Sequence, residues 1–557
     1  MAARAPITQL ATHEVENQPP PLEGYNAYDD DPALQEALAR EGADWATGQV
    51  RALGAVVGSE RVISLGHDAN RHPPELRVFD RYGHRIDEVQ YHPAYHELMR
   101  IAIRHGMHSV AWTARRRGGH VAHAAMVYLF TQVESGVCCP TTMTYAVVPA
   151  LRRQPEIAAE WERRVVSTDY DPRCVPAAEK LGATMGMAMT EKQGGSDVRA
   201  NSTRAQALGS GGPGGEYELT GHKWFCSAPM SDAFLTLAYT GNDALSCFFV
   251  PRWCPDGRRN PFFIQRLKDK VGNRANASSE IEYDRTWARM VGEDGQGVRT
   301  IIDMVHHTRL DTVAAAAGLM RQAVLQAAHH TAHRSAFGRR LSEQPLMRNV
   351  LADLALEAEA ATIVSLRLGR AFDDGEQDPA ARTFARIATA VAKYWLNKRA
   401  PGHIVEALEC HGGAGYVEES IMGRLYREAP LNGIWEGSGN VICLDVLRTM
   451  GREPEAAELF LAELALSRGQ DRRFDRLLDL LQSELADGID LEQRARRLVE
   501  TMALALQGAL VLRHAPSAVA EAFCVARLGD GAGRAYGTLP ASVDFDALIA
   551  RARPQSA

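Results

Sequence analysis

The sequence predicts an α+β protein, mainly α, in which one small β module separates two long helical regions. Three observations carry that reading. Apolar residues recur at three- and four-residue spacing through 31–183 and again through 297–450. Between about 184 and 296 the texture changes to short β-branched or aromatic runs broken by Gly, Pro, Asn and Asp. Past 450 the helical period continues with more charge, arginine but no lysine. Five segments are therefore expected: an extended arm (1–30), a helical domain (31–183), a β domain (184–296), a helical bundle (297–450) and a C-terminal helical extension (451–557).

At 557 residues the chain is too long for one hydrophobic core. A formal charge of −7 gives no global attraction to nucleic acid or acidic lipid, so any polyanion would need a local basic patch. The N-terminus lacks a continuous apolar core and soon meets Glu14 and Glu16, which argues against a secretory leader. No run approaches the ~20 apolar residues of a membrane span. The nine cysteines are scattered, with Cys138 and Cys139 adjacent and no Cys-x-x-Cys pair. Reduced thiols in a cytoplasmic protein are expected.

Taken in order, the arm is polar and proline-rich through Gln18-Pro-Pro-Pro-Leu22. Asp31-Pro32 offers an N-cap and a first-turn proline, and Gly42 a stop. Helical patterns follow, with polar breaks at Arg71-His-Pro-Pro74 and Arg115-Arg-Arg-Gly-Gly119. In the β domain the clearest runs are Tyr217-Glu-Leu-Thr220, Ala233 to Thr240, Leu245 to Val250 and Glu280 to Tyr283. The run Gly209-Ser-Gly-Gly-Pro-Gly-Gly215 reads as a loop between strands, and so does Gly529-Asp-Gly-Ala-Gly533, because no helix start follows the first and no strand precedes the second. Long helices are expected over 310–333, 346–372 and 380–410, and Leu491, Ala495, Leu498, Met502 and Ala505 form one apolar stripe in the extension. His306-His307 and His329-His330-x-x-His333 lack a carboxylate-rich partner motif. They read as helix-surface histidines, not metal ligands.

Three stretches carry chemistry. Ile434-Trp-Glu-Gly-Ser-Gly-Asn440 sets one carboxylate between a large ring and two glycines. It is either an interhelical turn with a solvated Glu or a site whose partly desolvated carboxylate is a better proton acceptor. Met187-Ala-Met-Thr-Glu-Lys-Gln-Gly-Gly-Ser-Asp197 is either a tight turn or a cradle for a pyrophosphate or a polar ring edge. Gly221-His-Lys-Trp-Phe-Cys-Ser227 puts an indole at a strand end, as a core ring or against a flat cofactor.

The order of these motifs, with Arg334-Ser-Ala-Phe337-Gly and Gln344, and Gly412-Gly-Ala-Gly-Tyr416, resembles the acyl-CoA dehydrogenase family over roughly 94–450. Within it the chain resembles the flavoproteins of the adaptive response to DNA alkylation, which carry a helical C-terminal extension. The resemblance implies FAD bound where the three central domains meet, and a homotetramer built as a dimer of dimers. It assigns Met187, Met189, Thr190 and Ser196 to the flavin and its pyrophosphate, and Trp224, Phe225, Cys226 and Ser227 to the isoalloxazine. Arg334, Phe337, Gln344, Gly412 and Gly413 would reach the FAD of a neighbouring subunit. Ile434, Trp435, Gly437, Ser438, Gly439 and Asn440 would hold FAD beside Glu436, the residue at the position of the family's catalytic base. The substrate class implied is a short or branched acyl-CoA such as isovaleryl-CoA, or an alkylating agent.

Two departures stand out. Trp435 replaces the usual Tyr, crowding the base against a long acyl chain. Cys226 stands where most relatives have a Thr that bonds flavin N5, which leaves Ser227 as the candidate for that bond. The resemblance also implies double-stranded DNA as a partner of the extension. Residues 451–557 contain 13 Arg, no Lys and 16 Asp plus Glu, a net −3, so phosphate contact must come from sorted arginines. Arg494, Arg497 and Arg513 are the candidates.

Overall fold

The computed structural model describes residues 6–529, 533 and 535–554. Its first helix, Pro32–Arg40, starts where Asp31 accepts from the Leu34 N–H at 3.0 Å, and it ends just before Gly42, whose φ is 88°. Helices Thr47–Val57, Glu60–Arg71, Pro93–Arg104, Gly119–Thr131, Ser135–Leu151 and Pro155–Val165 follow. The region is not purely helical. Arg71-His-Pro-Pro74 leads into an antiparallel hairpin, Glu75–Phe79 with Arg85–Gln90, whose alternation is interrupted by a register shift between Arg77 and Phe79 and by the buried Asp87.

The β domain closes on itself. Strands Met185–Ala188, Ala233–Tyr239, Arg204–Ala207, Glu216–Ser227, Ser278–Val291 and Leu245–Pro251 neighbour one another in that order, and Leu245–Pro251 pairs back onto Ala233–Tyr239. Phe262–Leu267 adds to Ser278–Val291. Closure leaves little free edge to pair with other chains. The glycine-rich run 209–215 is the turn between Arg204–Ala207 and Glu216–Ser227. Residues 530–532 of the second glycine-rich run lie outside the described residues.

Helices Gly297–His333, Pro345–Gly375 and Pro379–Glu409 pack on one another and on Gly119–Thr131 and Ser135–Leu151. Beyond them run Gly439–Arg452, Glu455–Ala465, Arg472–Ala486, Leu491–His514, Ser517–Phe523 and Phe545–Ala552. The stripe Ala495, Leu498, Met502 and Ala505 is buried, as its spacing demands, against Pro345–Gly375 and Pro379–Glu409. No helix among the described residues is long and apolar enough to cross a membrane.

The arm is anchored. Asn17 Oδ1 accepts from the Ser335 N–H at 2.8 Å, its amide donates to Ser335 O at 2.9 Å, and its carbonyl takes the Arg334 guanidinium at 2.6 Å. His329 meets the Pro20 carbonyl at 2.9 Å. The histidines are therefore not the surface residues expected. His329 and His330 are buried, and His306 stacks on Phe372 with ring centroids 4.4 Å apart. Burial drives the His307 pKa down to about 3 and that of His330 to about 4, so both are neutral packing residues.

Candidate active site

Glu436 sits between the short turn Leu431–Gly433 and the helix Gly439–Arg452. Its φ is 57° and that of Gly437 is 106°, so two successive residues are left-handed. For a glutamate that conformation costs roughly 1–3 kcal/mol and must be imposed by its surroundings. The surroundings are visible. Arg309 Nε donates to the Glu436 carbonyl at 3.0 Å, while its guanidinium is held by Asp445 at 2.6 Å. Arg386 reaches the same Asp445 at 3.1 Å. On the other flank Lys393 Nζ donates to Gly437 O at 2.7 Å and to Asn432 O at 3.2 Å. The Trp435 indole is fixed by Asn432 Oδ1 at 2.9 Å.

Within this frame Glu436 Oε2 is buried without a hydrogen-bond partner. Burial raises the Glu436 pKa, and the Thr308 hydroxyl with the Arg309 and Lys393 cations offsets only part of that rise. A carboxylate with an open lone pair and a raised pKa is chemically a proton acceptor in waiting. The solvated-turn reading does not describe this residue.

Met187 and Met189, at the end of Met185–Ala188, pack on the same apolar cluster as Trp435. Thr190 follows, and its carbonyl takes the Trp224 N–H at 2.7 Å, tying the first motif to the second. The turn beyond needs its glycines, because a Cβ on Gly195 would stand 2.3 Å from Thr190 Oγ1. Ser196 is exposed at the end of that turn. Under it, Glu191 is fully buried and paired with Lys223 at 2.8 Å. Burial pushes the Glu191 carboxyl up, but Lys223 and the Ser202 and Thr203 donors pull it well below the usual carboxylate range.

The second motif requires a correction. A register shift between Lys223 and Cys226 bulges the strand Glu216–Ser227. Lys223 and Cys226 therefore both face inward, while Trp224 and Phe225 both face out. Cys226 is fully enclosed and burial lifts its thiol pKa to about 12, so it does not line the site. Ser227 does remain half-buried, 3.1 Å from Ser278 Oγ. The Trp224 ring carries the Lys268 ammonium 3.2 Å from its centroid, and Phe225 is 47% exposed.

Arg334, Phe337, Gln344, Gly412 and Gly413 are not brought to Glu436 within the chain. Arg334 follows the helix that carries Arg309 and lies 25 residues beyond it, about 37 Å along the axis. These residues share one end of the bundle, where His330 and His411 rings meet at 4.6 Å and Gln344 donates to Ala336 O at 3.1 Å. Phe337 there has φ 53° and is 98% exposed, and Gly412 and Gly413 are open to solvent. Ile434 and Asn440 are exposed beside the base, and Ser438 stands at the N-cap position of the following helix without a side-chain capping bond.

The three arginines of the extension differ. Arg494 is spent on the carbonyls of Asp487 and Ile489, both at 2.7 Å. Arg513 is half-buried on Glu463, which it shares with Arg367. Arg497 pairs with Glu484 at 2.6 Å but keeps its side chain 65% exposed.

Arg309, Lys393 and Asp445 were not singled out by sequence reasoning. Lys393 leaves a signal: it is the lone charge in Ile387-Ala-Thr-Ala-Val-Ala-Lys-Tyr-Trp-Leu396, on a helix face that is buried. A cation there must have a purpose.

Comparison with known proteins agrees with this arrangement. Residues 17–172 match the adaptive response protein AidB N-terminal domain, 186–286 the acyl-CoA dehydrogenase middle domain, and 295–451 the acyl-CoA dehydrogenase C-terminal domain. The chain is 43% identical to the putative acyl-CoA dehydrogenase AidB of Escherichia coli, over 94% of this chain and 95% of that one. It is 29% identical to acyl-CoA dehydrogenase family member 11 of Caenorhabditis elegans, over 91% and 83%. Two solved structures share the fold. The Caenorhabditis elegans ACDH-11 in complex with C11-CoA gives TM-score 0.83 at 27% identity, covering 94% of this chain and 93% of that one. The Bd2924 apo-form gives 0.82 at 28%, covering 90% and 100%. The chain belongs to the acyl-CoA dehydrogenase family, FAD-dependent oxidoreductases acting on CH–CH bonds of acyl-CoA, in its AidB-like branch.

Proposed function

We propose that Glu436 removes the α-proton of a short or branched acyl-CoA, of the isovaleryl-CoA type, while the β-hydride leaves for FAD. The observation that carries this reading is the buried, unpartnered Glu436 Oε2 on a loop pinned from both flanks. The residues suit the cofactor: Met187, Met189 and Trp435 all border one apolar cluster, and Thr190 and Ser196 flank a glycine turn beside it. When bound, FAD supplies the hydride acceptor. The protein's part is to hold the carboxylate dry and aimed, so that proton removal needs little reorganisation. Trp435 is locked by Asn432, so it narrows the space beside the base and favours a short acyl group. Anaerobic mixing with a panel from isovaleryl-CoA to C11-CoA tests this. Short thioesters bleach the flavin and Glu436→Gln abolishes bleaching; undiminished bleaching by the variant rejects the base.

The exposed Phe337, Gly412 and Gly413, at the bundle end where Arg334 lies about 37 Å along the helix from Arg309, support completion of each site by a neighbouring subunit of a homotetramer. Nine free cysteines support a cytoplasmic setting. The similarity to AidB over nearly the whole chain favours a second role, protection of DNA against alkylation, with double-stranded DNA bound by the extension. Arg497 is the candidate of the three with an exposed guanidinium. A salt titration of duplex binding decides: affinity that falls steeply with salt supports the role, and none at low ionic strength rejects it.

A further inference from the structure

We propose that Lys393 is a positioning residue for Glu436, one ammonium that grips the backbone on both sides of the base and makes its aim depend on protonation. The proposal rests on Glu436 being the base. Lys393 is 2% exposed, and its hydrogen-bond partners are two neutral carbonyls: Asn432 O at 3.2 Å, before the base, and Gly437 O at 2.7 Å, after it. No carboxylate forms a salt bridge with it among the described residues. A buried ammonium whose donors go to main-chain carbonyls of one loop holds that loop, and here the loop is left-handed at both Glu436 and Gly437. Arg309 holds the peptide between them, so the carboxylate's direction is set from three points.

The charged groups that act on Lys393 come from a bundle helix, the loop and its own helix. Arg309 stands on Gly297–His333, Glu436 on the loop, and Lys398 on Lys393's own helix; Asp445 and Arg386 lie behind Arg309. Burial, then Arg309, lowers the Lys393 pKa to about 7, with Glu436 opposing and Lys398 adding to the fall. The clamp is therefore complete below that pH and weakens as pH rises through it. Lys393 in turn lowers the Glu436 pKa, so the two groups bound an active window from opposite sides.

The test compares holoprotein carrying Lys393→Met, Lys393→Arg or Glu436→Gln with the unmodified chain. Flavin reduction by isovaleryl-CoA is followed against pH, and amide exchange over residues 431–440 is followed without substrate. Lys393→Met is expected to lower the reduction rate by about 10-fold or more with little change in half-saturation. It should also remove the alkaline limb, move the acid limb to higher pH and speed exchange across the loop. Lys393→Arg, which stays charged, should recover most of the rate and carry the alkaline limb upward. A Lys393→Met profile that keeps both limbs, or loop exchange unchanged in both variants, overturns the proposal. Reduction that survives Glu436→Gln overturns the base assignment instead, and the two failures are thereby told apart.

Discussion

Replacing Lys223 by Met should destabilise the protein through one identifiable group, the Glu191 carboxylate. Both side chains are completely enclosed, 2.8 Å apart, and join the stretch 187–197 to the stretch 221–227. Breaking a buried pair from one side costs about 3–5 kcal/mol, because the remaining charge is left without its counterion. Glu191 keeps donors from Ser202 N at 2.7 Å, Ser202 Oγ at 2.8 Å, Thr203 Oγ1 at 2.6 Å and Thr203 N at 3.2 Å. The lower end, ~3 kcal/mol, is therefore expected. At about 2–4 °C per kcal/mol for a cooperative unit of 150–250 residues, thermal unfolding should come roughly 6–12 °C earlier. The pH dependence is diagnostic. In the native chain the depressed Glu191 pKa contributes stability that is present above the unfolded value and lost as pH falls through the folded one. Without Lys223 the burial that raises it has less opposition, so the variant's deficit should shrink on acidification from pH 8 to pH 5. Thermal scans across that range decide. A shift under about 2 °C, or a deficit that grows on acidification, refutes the argument that an unpaired buried carboxylate is the cause.

Three further outcomes follow from the geometry. The raised Glu436 pKa places the acid limb of flavin reduction above ~4.3, the usual glutamate value, with rate gained as pH rises through it; a pH series under anaerobic conditions measures the midpoint. Gly195→Ala sets a Cβ 2.3 Å from Thr190 Oγ1, and the purified variant should carry less FAD per chain by absorbance while the far-UV spectrum is retained. Arg513→Ala leaves Glu463 with Arg367 alone and should lower the unfolding temperature by an amount matching about 1–3 kcal/mol, whereas Arg497→Ala should leave stability within about 1 kcal/mol and reduce the salt slope of duplex binding by roughly one.

The parts legible in the sequence were those written in local chemistry. Asp31-Pro32 starts a helix, and Ala495, Leu498, Met502 and Ala505 of the expected stripe are buried. What could not be read depends on register or on distant partners. Cys226 and Phe225 are neighbours on one strand, and a single extra residue decides which of them faces the core; nothing in Gly-His-Lys-Trp-Phe-Cys-Ser announces that bulge. The hairpin at 75–90 alternates only in part, because its register shifts between Arg77 and Phe79 and the charged Asp87 takes a buried position. Arg513 and Arg497 look equivalent as letters, yet one meets Glu463 across 50 residues and the other stays in water.

The same distinction explains why the base was ambiguous in isolation. A glutamate between glycines is compatible with a solvated turn, because the residues that hold its loop come from 309, 393 and 445, on three different helices. Each contact is to a carbonyl or to another cation's counterion, so none leaves a pattern near Glu436 itself. The lone lysine in a buried apolar run is the one place where this arrangement surfaces in the sequence. A desolvated cation is costly unless its donors are used, and here they are used on the loop that carries the base. Lys393 is thus less an exception to the helix pattern than a part of what holds Glu436 in place.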